Sequence, residues 1–341
     1  MDKNILIVKL SAIGDVVHAL PVAPALKHCF SDAKITWVVE QPAYDLLTNN
    51  PYIDEIILFD KPKFRSFSGL WQNAPEFIRL LRSRHFDLTI DLQALFKSAA
   101  IAYLSGARKR LVYCNARELS GVISRRVCGE NSEGHVVERY LDVVRALGCE
   151  VNKAEFPLTI TEKEELSAKR LADRAGLNIN RPYVVLIPGT NWPNKCWSPT
   201  YFGILAEKIY RNGIMPVIIG GAREKPLAEA IRSKMVAEPV DLCGLTSLKE
   251  SAYLFRQAKA IVGGDTGPMH LAAALGRPVV AMYGPTDIKR NGPYGPHHKV
   301  LQTSLPCAGC WKRQCPKGLE CLETIKPEEV YEALQGLFDD D

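Results

Sequence analysis

Short apolar runs and amphipathic stretches alternate along almost the whole chain. Apolar runs predict buried strands at Ile5–Leu10, Lys34–Val39, Glu55–Phe59, Leu88–Asp91 and Arg110–Val112. Between them, apolar residues recur at helical spacing over Val16–Cys29, Leu70–Arg84, Lys97–Leu104 and Val136–Leu147, the last with Gly148 as its C-cap. The polar, extended stretch EVNKAEFPLTIT, Glu150–Thr161, interrupts the series and reads as a linker. Thr161 and Glu164 then form a capping box for a helix to Ala175. A second series follows, with strands at Tyr183–Ile187, Met215–Ile219, Val240–Leu242, Ala260–Val262 and Val279–Tyr283. Its helices are Pro199–Arg211, Lys225–Val236, Leu248–Gln257 and Met269–Leu275, and Ser198 before Pro199 supplies a cap with proline at the first helical position. Strands alternating with helices at this spacing imply βαβ units and parallel sheets. The expected fold class is therefore α/β, with two doubly wound domains at residues 1–155 and 156–326 and a closing helix, 327–341, packing back across them.

Composition narrows the function without choosing it. A chain of 341 residues suits two domains, and 47% hydrophobic with 24% charged residues is ordinary for a soluble protein. A net charge of +5 argues against a dedicated nucleic-acid binder but suits an anionic substrate or an anionic membrane surface. No apolar run approaches the roughly 18–20 residues that a bilayer span requires. Met1-Asp2-Lys3-Asn4 leads straight into a strand with no signal peptide, so the expected compartment is the cytoplasm. In that reducing setting, Cys29, Cys114, Cys128, Cys149, Cys196 and Cys243 read as small hydrophobes or inert thiols. Cys307, Cys310, Cys315 and Cys321 are clustered, but only the first pair has zinc-ribbon spacing. The cluster reads as a compact loop of reduced thiols, with a structural metal or a redox-sensitive disulfide as alternatives; no metal is assigned.

Chemistry concentrates at strand ends. IVGGDTGPMHLAAALGRPVVAMYGPTD, Ile261–Asp287, runs from a strand through Gly263-Gly264 into Asp265-Thr266-Gly267 at a helix start. Free N–H groups and the positive end of a helix dipole suit a phosphate or diphosphate there, although Asp265 also stands where a plain N-cap belongs. IPGTNWPNKCWSP offers Thr190, Asn191 and Lys195 as donors, or simply a surface loop with one lysine. IIGGAREK places Glu224 where a carboxylate could accept from a ribose diol or complement a helix dipole. Near the N-terminus, KLSAIGDVVHALP sets the lone carboxylate of Asp15 at a strand-to-helix turn, as a cap or as a base. No strand–G-x-G-x-x-G–helix fingerprint and no Walker A loop is present, which disfavours a nicotinamide oxidoreductase and a P-loop enzyme.

KLSAIGDVVHALP, DLQALFKSA, GGDTGPMHLAAALGRPVVAMYGPTD and the C-terminal cysteine segment together resemble the lipopolysaccharide heptosyltransferases. The stretch AREL, Ala116–Leu119, and HVVERYLDVVRALG, His135–Gly148, resemble the branch that moves the first heptose onto Kdo. The resemblance implies a GT-B fold, two Rossmann-like domains facing a central cleft, with inverting, metal-independent transfer from ADP-heptose and no cofactor. It implies Asp15 as general base; Thr190, Asn191, Lys195, Glu224, Asp265, Thr266 and Gly267 around the donor; and Ser11, Lys97 and Arg117 around a Kdo-lipid A acceptor. His270 is expected only to pack. The chain departs from the family pattern at Arg223, beside Glu224, and at Asn191, where a hydroxyl residue often sits. The lipid acceptor implies peripheral contact with the cytoplasmic face of the inner membrane. Rival readings are a GT-B nucleotide-sugar epimerase, a transferase of the same family with another sugar or acceptor, and a non-catalytic sugar-nucleotide sensor.

Overall fold

The computed structural model describes residues 3–318 and 321–339. The chain divides into two compact units, Met1–Thr159 and Ile160–Asp341. The first unit runs β1 (Asn4–Val8), α1 (Ile13–Ala19), α2 (Val22–Cys29), β2 (Lys34–Val39), α3 (Gln41–Tyr44), β3 (Glu55–Leu58), α4 (Phe67–Arg82) and β4 (Leu88–Asp91). It continues with α5 (Phe96–Leu104), β5 (Lys109–Tyr113), α6 (Ser120–Ile123), β6 (Arg125–Val127) and α7 (Val136–Arg145). Its six strands are all parallel, in the order β3-β2-β1-β4-β5-β6. The order reverses between β1 and β4, and open α/β sheets bind ligands beyond the strand ends at such a switch point. β1 is buried on both faces, with Ile5, Leu6, Ile7 and Val8 fully covered, so it reads as a continuous apolar run.

The second unit repeats the plan. It comprises α8 (Glu162–Arg174), β7 (Tyr183–Ile187), α9 (Pro199–Arg211), β8 (Met215–Ile218), α10 (Lys225–Arg232), β9 (Val240–Asp241) and α11 (Leu248–Gln257). Then come β10 (Ala260–Gly264), α12 (Gly267–Ala274), β11 (Val279–Tyr283), α13 (Ile288–Asn291), β12 (His298–Gln302) and α14 (Pro327–Asp339). The strand order is β12-β11-β10-β7-β8-β9, again all parallel, with its switch point between β7 and β10. α14 lies on α9, and Val330, Tyr331, Leu334 and Leu337 complete the core that Trp197, Phe202, Leu205 and Ile209 build on this unit's sheet. Residues 340 and 341 of the closing segment lie outside the described residues.

The departures from the sequence expectation have local causes. The helix expected over Val16–Cys29 is two helices, because Pro21 has no N–H to continue the first and instead stands at the N-cap of the second. β6 and β12 carry Arg-Arg-Val and His-Lys-Val-Leu-Gln; both are edge strands, where solvent on one side removes the need for an apolar run. Four of the six scattered cysteines are not thiols. α2 packs on α7 and joins Cys29 to Cys149 across 120 residues of sequence. The register pairing Tyr113 with Val127 sets Cys114 beside Cys128, and they form the second disulfide. Cys196 and Cys243 remain thiols, as do Cys307, Cys310 and Cys321. Among the described residues, no group of three or more His, Cys, Asp or Glu side chains is placed to hold a metal ion.

Candidate active site

The loops leaving β7 and β10 meet at the switch point of the second sheet. After Gly189-Thr190, a single 3-10 turn at Pro193–Lys195 aims the Lys195 ammonium at Asp265, with Nζ 2.6 Å from Oδ2. The other carboxylate oxygen of Asp265 lies 2.9 Å from Nε2 of His270, one turn into α12. Asp265 and His270 are both buried. Burial alone would raise the Asp265 carboxyl, but the His270 hydrogen bond and the charges of His270 and Lys195 outweigh it and hold the group well below the usual carboxylate range. The result is a chain of contacts, Lys195–Asp265–His270, centred on a buried carboxylate at the end of a parallel sheet.

Glycines let these loops approach. A Cβ on Gly264 would stand 2.6 Å from the Lys195 carbonyl oxygen, so no other residue admits the Lys195 turn against β10. A Cβ on Gly189 would stand 2.2 Å from Cγ of Glu224, and one on Gly220 would stand 2.9 Å from its Cβ. Glu224 therefore lies in a glycine trough between the ends of β7 and β8. Thr190 donates its hydroxyl proton to the Trp192 carbonyl at 2.7 Å and its oxygen lies 3.1 Å from the Cys196 sulfur, so the hydroxyl must turn to donate to a phosphate. Asn191 is exposed on the same loop. Thr266, not Asp265, is the N-cap of α12; its side chain makes no capping hydrogen bond, and Gly267 opens the helix. The helix N–H groups at this end thus have no side-chain acceptor from the cap.

Sequence spacing hides several supports of this corner. His270 packs, as expected, yet its ring nitrogen is bonded to Asp265. The Lys195 ammonium stands 4.3 Å from the centre of the Trp192 ring, which Arg313 also covers. Asn194, next to Lys195, donates to the Lys312 carbonyl at 2.6 Å, and the Cys321 thiol lies 3.9 Å from the Asn194 carbonyl. The cysteine segment therefore props the lysine loop across more than a hundred residues of sequence, a contact that no periodicity announces.

The first unit builds a different corner at its own switch point, where β1 and β4 end. Gln93, just past β4, accepts from the backbone N–H groups of Leu10 and Ser11 at 3.1 and 3.2 Å through its Oε1. That clamp fixes the turn in front of α1. Asp15 is the third residue of α1 and accepts from the Ala12 N–H at 3.2 Å; it caps the helix from within, since Ala12 has no side chain to do so. The Gln93 loop is itself held by Asp91, buried, whose carboxylate accepts from the Gln93 and Ala94 N–H groups and from the Ser98 hydroxyl. Burial raises Asp91 to about 6 despite those donors. Lys97, on the first turn of α5, is paired with Glu40 and lies over the Phe59 ring. Arg117 is exposed after β5, its N–H donating to the Ala94 carbonyl at 3.0 Å. Ser11, Asp15 and Lys97 thus share one sheet edge. Gln93 and Asp91, which organise it, lie in DLQALFKSA, the segment whose resemblance singled out Lys97 but neither of them.

With this geometry fixed, comparison with known proteins is informative. The sequence model of glycosyltransferase family 9 (heptosyltransferase) matches residues 75–320. Lipopolysaccharide heptosyltransferase 1 of Pseudomonas aeruginosa is 30% identical over 325 residues, covering 92% of this chain and 87% of that protein. Among solved structures, a family 9 glycosyltransferase from Veillonella parvula superposes with a TM-score of 0.86 at 23% identity, over 100% of this chain and 99% of that one. Escherichia coli heptosyltransferase WaaC with ADP-2-deoxy-2-fluoro heptose superposes with a TM-score of 0.73 at 23% identity, covering 99% and 100%. The fold is GT-B, with two Rossmann-like parallel sheets.

Proposed function

The chain belongs to glycosyltransferase family 9, the heptosyltransferases, and from that premise we propose that it moves heptose from ADP-heptose to the Kdo-lipid A inner core of lipopolysaccharide. Transfer proceeds with inversion and without a metal ion or cofactor. The kinship with lipopolysaccharide heptosyltransferase 1 supports the acceptor class, and WaaC with its ADP-heptose analogue supports the donor. The observation that carries the proposal is the cluster Lys195–Asp265–His270 beside Thr190 and the open start of α12.

An acceptor hydroxyl oxygen attacks the anomeric carbon of the donor while the bond from that carbon to the diphosphate oxygen breaks. The electron pair departs with ADP, and the hydroxyl proton goes to Asp15. Lys195, Thr190 and the N–H groups at Thr266-Gly267 meet the charge that grows on the diphosphate, in the place a metal would otherwise take. Asp265, kept ionised beside His270 and Lys195, accepts from sugar hydroxyls, and Glu224 in its glycine trough accepts from the ribose diol. Asn191 lies beside the phosphates. On the acceptor side, Ser11 and Lys97 meet the Kdo sugar, and Arg117 meets its carboxylate or a lipid A phosphate. The work is done at the cytoplasmic face of the inner membrane; among the described residues, no helix is long and apolar enough to cross one.

The test is turnover of ADP-heptose on Kdo-lipid A in excess EDTA, with the product anomer read by NMR. Release of ADP with inverted configuration supports the proposal. Retained configuration, loss of turnover in EDTA, or turnover only with a UDP or GDP sugar contradicts it.

A further inference from the structure

The helices α4, α5 and α6 form one layer on the first sheet: α4 packs on α5, and α5 packs on α6. α5 and α6 follow the ends of β4 and β5, and a 3-10 turn at Lys61–Phe64 carries the chain from the end of β3 into α4. Lys97 lies over the ring of Phe59, just past β3, which ties that end to the sheet edge that holds Ser11 and Asp15. That rim is unusually apolar for exposed surface. On α4, Phe67, Leu70 and Trp71 share one face at helical spacing, with Phe67 77% and Trp71 69% exposed. Their rings touch edge to face, 6.2 Å apart. α5 opens on exposed Phe96; exposed Leu119 precedes α6, and α6 carries Val122, 83% exposed. Further along α4, Phe77, Leu80 and Leu81 pack into the core cluster with Phe59, Leu81 on the stripe that Phe67 and Leu70 begin. The first turn is therefore left uncovered on a helix that is firmly seated.

Basic side chains flank this rim. Lys61 and Arg65 are exposed just ahead of α4, and Arg117, Arg125 and Arg126 are exposed around α6. The Arg126 guanidinium lies along α6, since a Cβ on Gly121 would stand 2.8 Å from its Nη2. The acids in the same segments are fewer: Asp60, which pairs with Lys63, exposed Glu76, and Glu118, which accepts from the Phe96 N–H. Bulky aromatic and aliphatic side chains surrounded by lysine and arginine are what a phospholipid interface accepts. Tryptophan and phenylalanine enter the headgroup boundary while the cations meet anionic lipid, and two such signals together are needed for stable attachment. A protein partner would be expected to match the patch with its own contour; a bilayer needs only a convex apolar edge with positive flanks.

We infer that the rim of α4, α5 and α6 is the surface by which this enzyme rests on an anionic bilayer, with Phe67, Leu70, Trp71, Phe96, Leu119 and Val122 entering the lipid. The inference rests on the lipid-linked acceptor proposed above and goes beyond it by assigning the contact to an apolar wedge rather than to basic charge alone. Set this way, the rim puts the acceptor-binding edge of the first sheet next to the surface in which the acceptor is embedded.

The experiment is vesicle co-sedimentation of the full chain and its variants F67S/W71S and L119S/V122S. Vesicles are phosphatidylethanolamine with phosphatidylglycerol, or phosphatidylcholine alone, and turnover on lipid-bearing and on fully deacylated Kdo acceptor is measured in parallel. The wild type should bind the anionic vesicles, lose that binding about tenfold at high salt, and bind neutral vesicles weakly. Each double variant should bind anionic vesicles about tenfold less, keep the deacylated-acceptor rate within about twofold, and raise KM for the lipid-bearing acceptor. Circular dichroism confirms that the variants fold. Wild-type binding that the variants retain in full overturns the inference, and so does a wild type that ignores anionic vesicles. A self-associating chain that both variants render monomeric, without vesicle binding, overturns it in favour of a dimer face. Failure of the heptose reading shows separately, as no turnover on either acceptor while vesicle binding still reports on the rim.

Discussion

The two switch points of the molecule solve the same positional problem with different physics. At the end of β7 and β10, a buried aspartate is held between a lysine and a histidine, and glycines admit the loops that carry them. At the end of β1 and β4, a partly exposed aspartate is held by the backbone, and the turn in front of it is clamped by a neutral glutamine. The first corner is built around fixed charge, which suits a group that must receive a diphosphate. The second is built around fixed geometry, which suits a base that must meet one hydroxyl at one angle.

The sharpest way to separate the corners is to remove the proposed base. Asp15→Ala should lower kcat by roughly 10²–10⁴-fold, the usual worth of a general base, with ADP affinity unchanged by calorimetry. A matching loss of ADP affinity would mean that the corners are not separable.

The charged corner should break next. Asp265→Asn leaves the Lys195 ammonium facing an amide, and removing one partner of a buried pair costs about 3 kcal/mol or more in urea unfolding. Its carboxyl is depressed in the folded state, so its contribution is complete above the unfolded pKa of about 4 and is lost as pH falls below that. The variant should therefore show a flatter acid limb than the wild type.

Asp91 provides the opposite sign in the neutral corner. Burial raises it to about 6, so the folded state holds its proton more readily than the unfolded one. Its stabilisation is full below about pH 4 and is lost as pH rises through 6. An asparagine at this site still accepts from the Gln93 and Ala94 N–H groups. Relative to Asp91→Asn, the wild type should lose on the order of 2–3 kcal/mol of unfolding free energy between pH 4 and pH 7.

The smallest effect belongs to the clamp. Gln93→Ala removes two hydrogen bonds to backbone, worth about 1–2 kcal/mol together, and should lower kcat about tenfold with donor KM unchanged. Gln93→Glu keeps the accepting oxygen and should recover most of the rate. A variant that merely unfolds would show neither the KM split nor the rescue.

What was legible in the sequence follows the same division. Lys34–Val39, Leu88–Asp91, Tyr183–Ile187 and Val279–Tyr283 are strands with the bounds their apolar runs indicate, because strands inside a parallel sheet are covered on both faces. Edge strands β6 and β12 escaped that logic, since polar edge residues look like loop. The charged corner at the ends of β7 and β10 could be read as a candidate because glycines and charges gather at successive strand ends. Its inner wiring could not: Asp265 and His270 are five residues apart and resemble a cap and a packed ring, while the props from Lys312 and Cys321 are remote in sequence. The disulfides were missed for a related reason. Cys29 and Cys149 meet only because α2 lies on α7, and a compartment argument cannot substitute for that packing.

The most direct measurement is calorimetric titration of ADP, UDP, GDP and NAD into the wild type and Lys195→Ala. ADP alone should bind, with Lys195→Ala weakening it by about 1–3 kcal/mol, as expected for a hydrogen bond to a charged group. Binding of UDP or GDP in place of ADP would leave the fold standing and remove the ADP-heptose donor. Equal affinity in Lys195→Ala would contradict a charge-built donor corner.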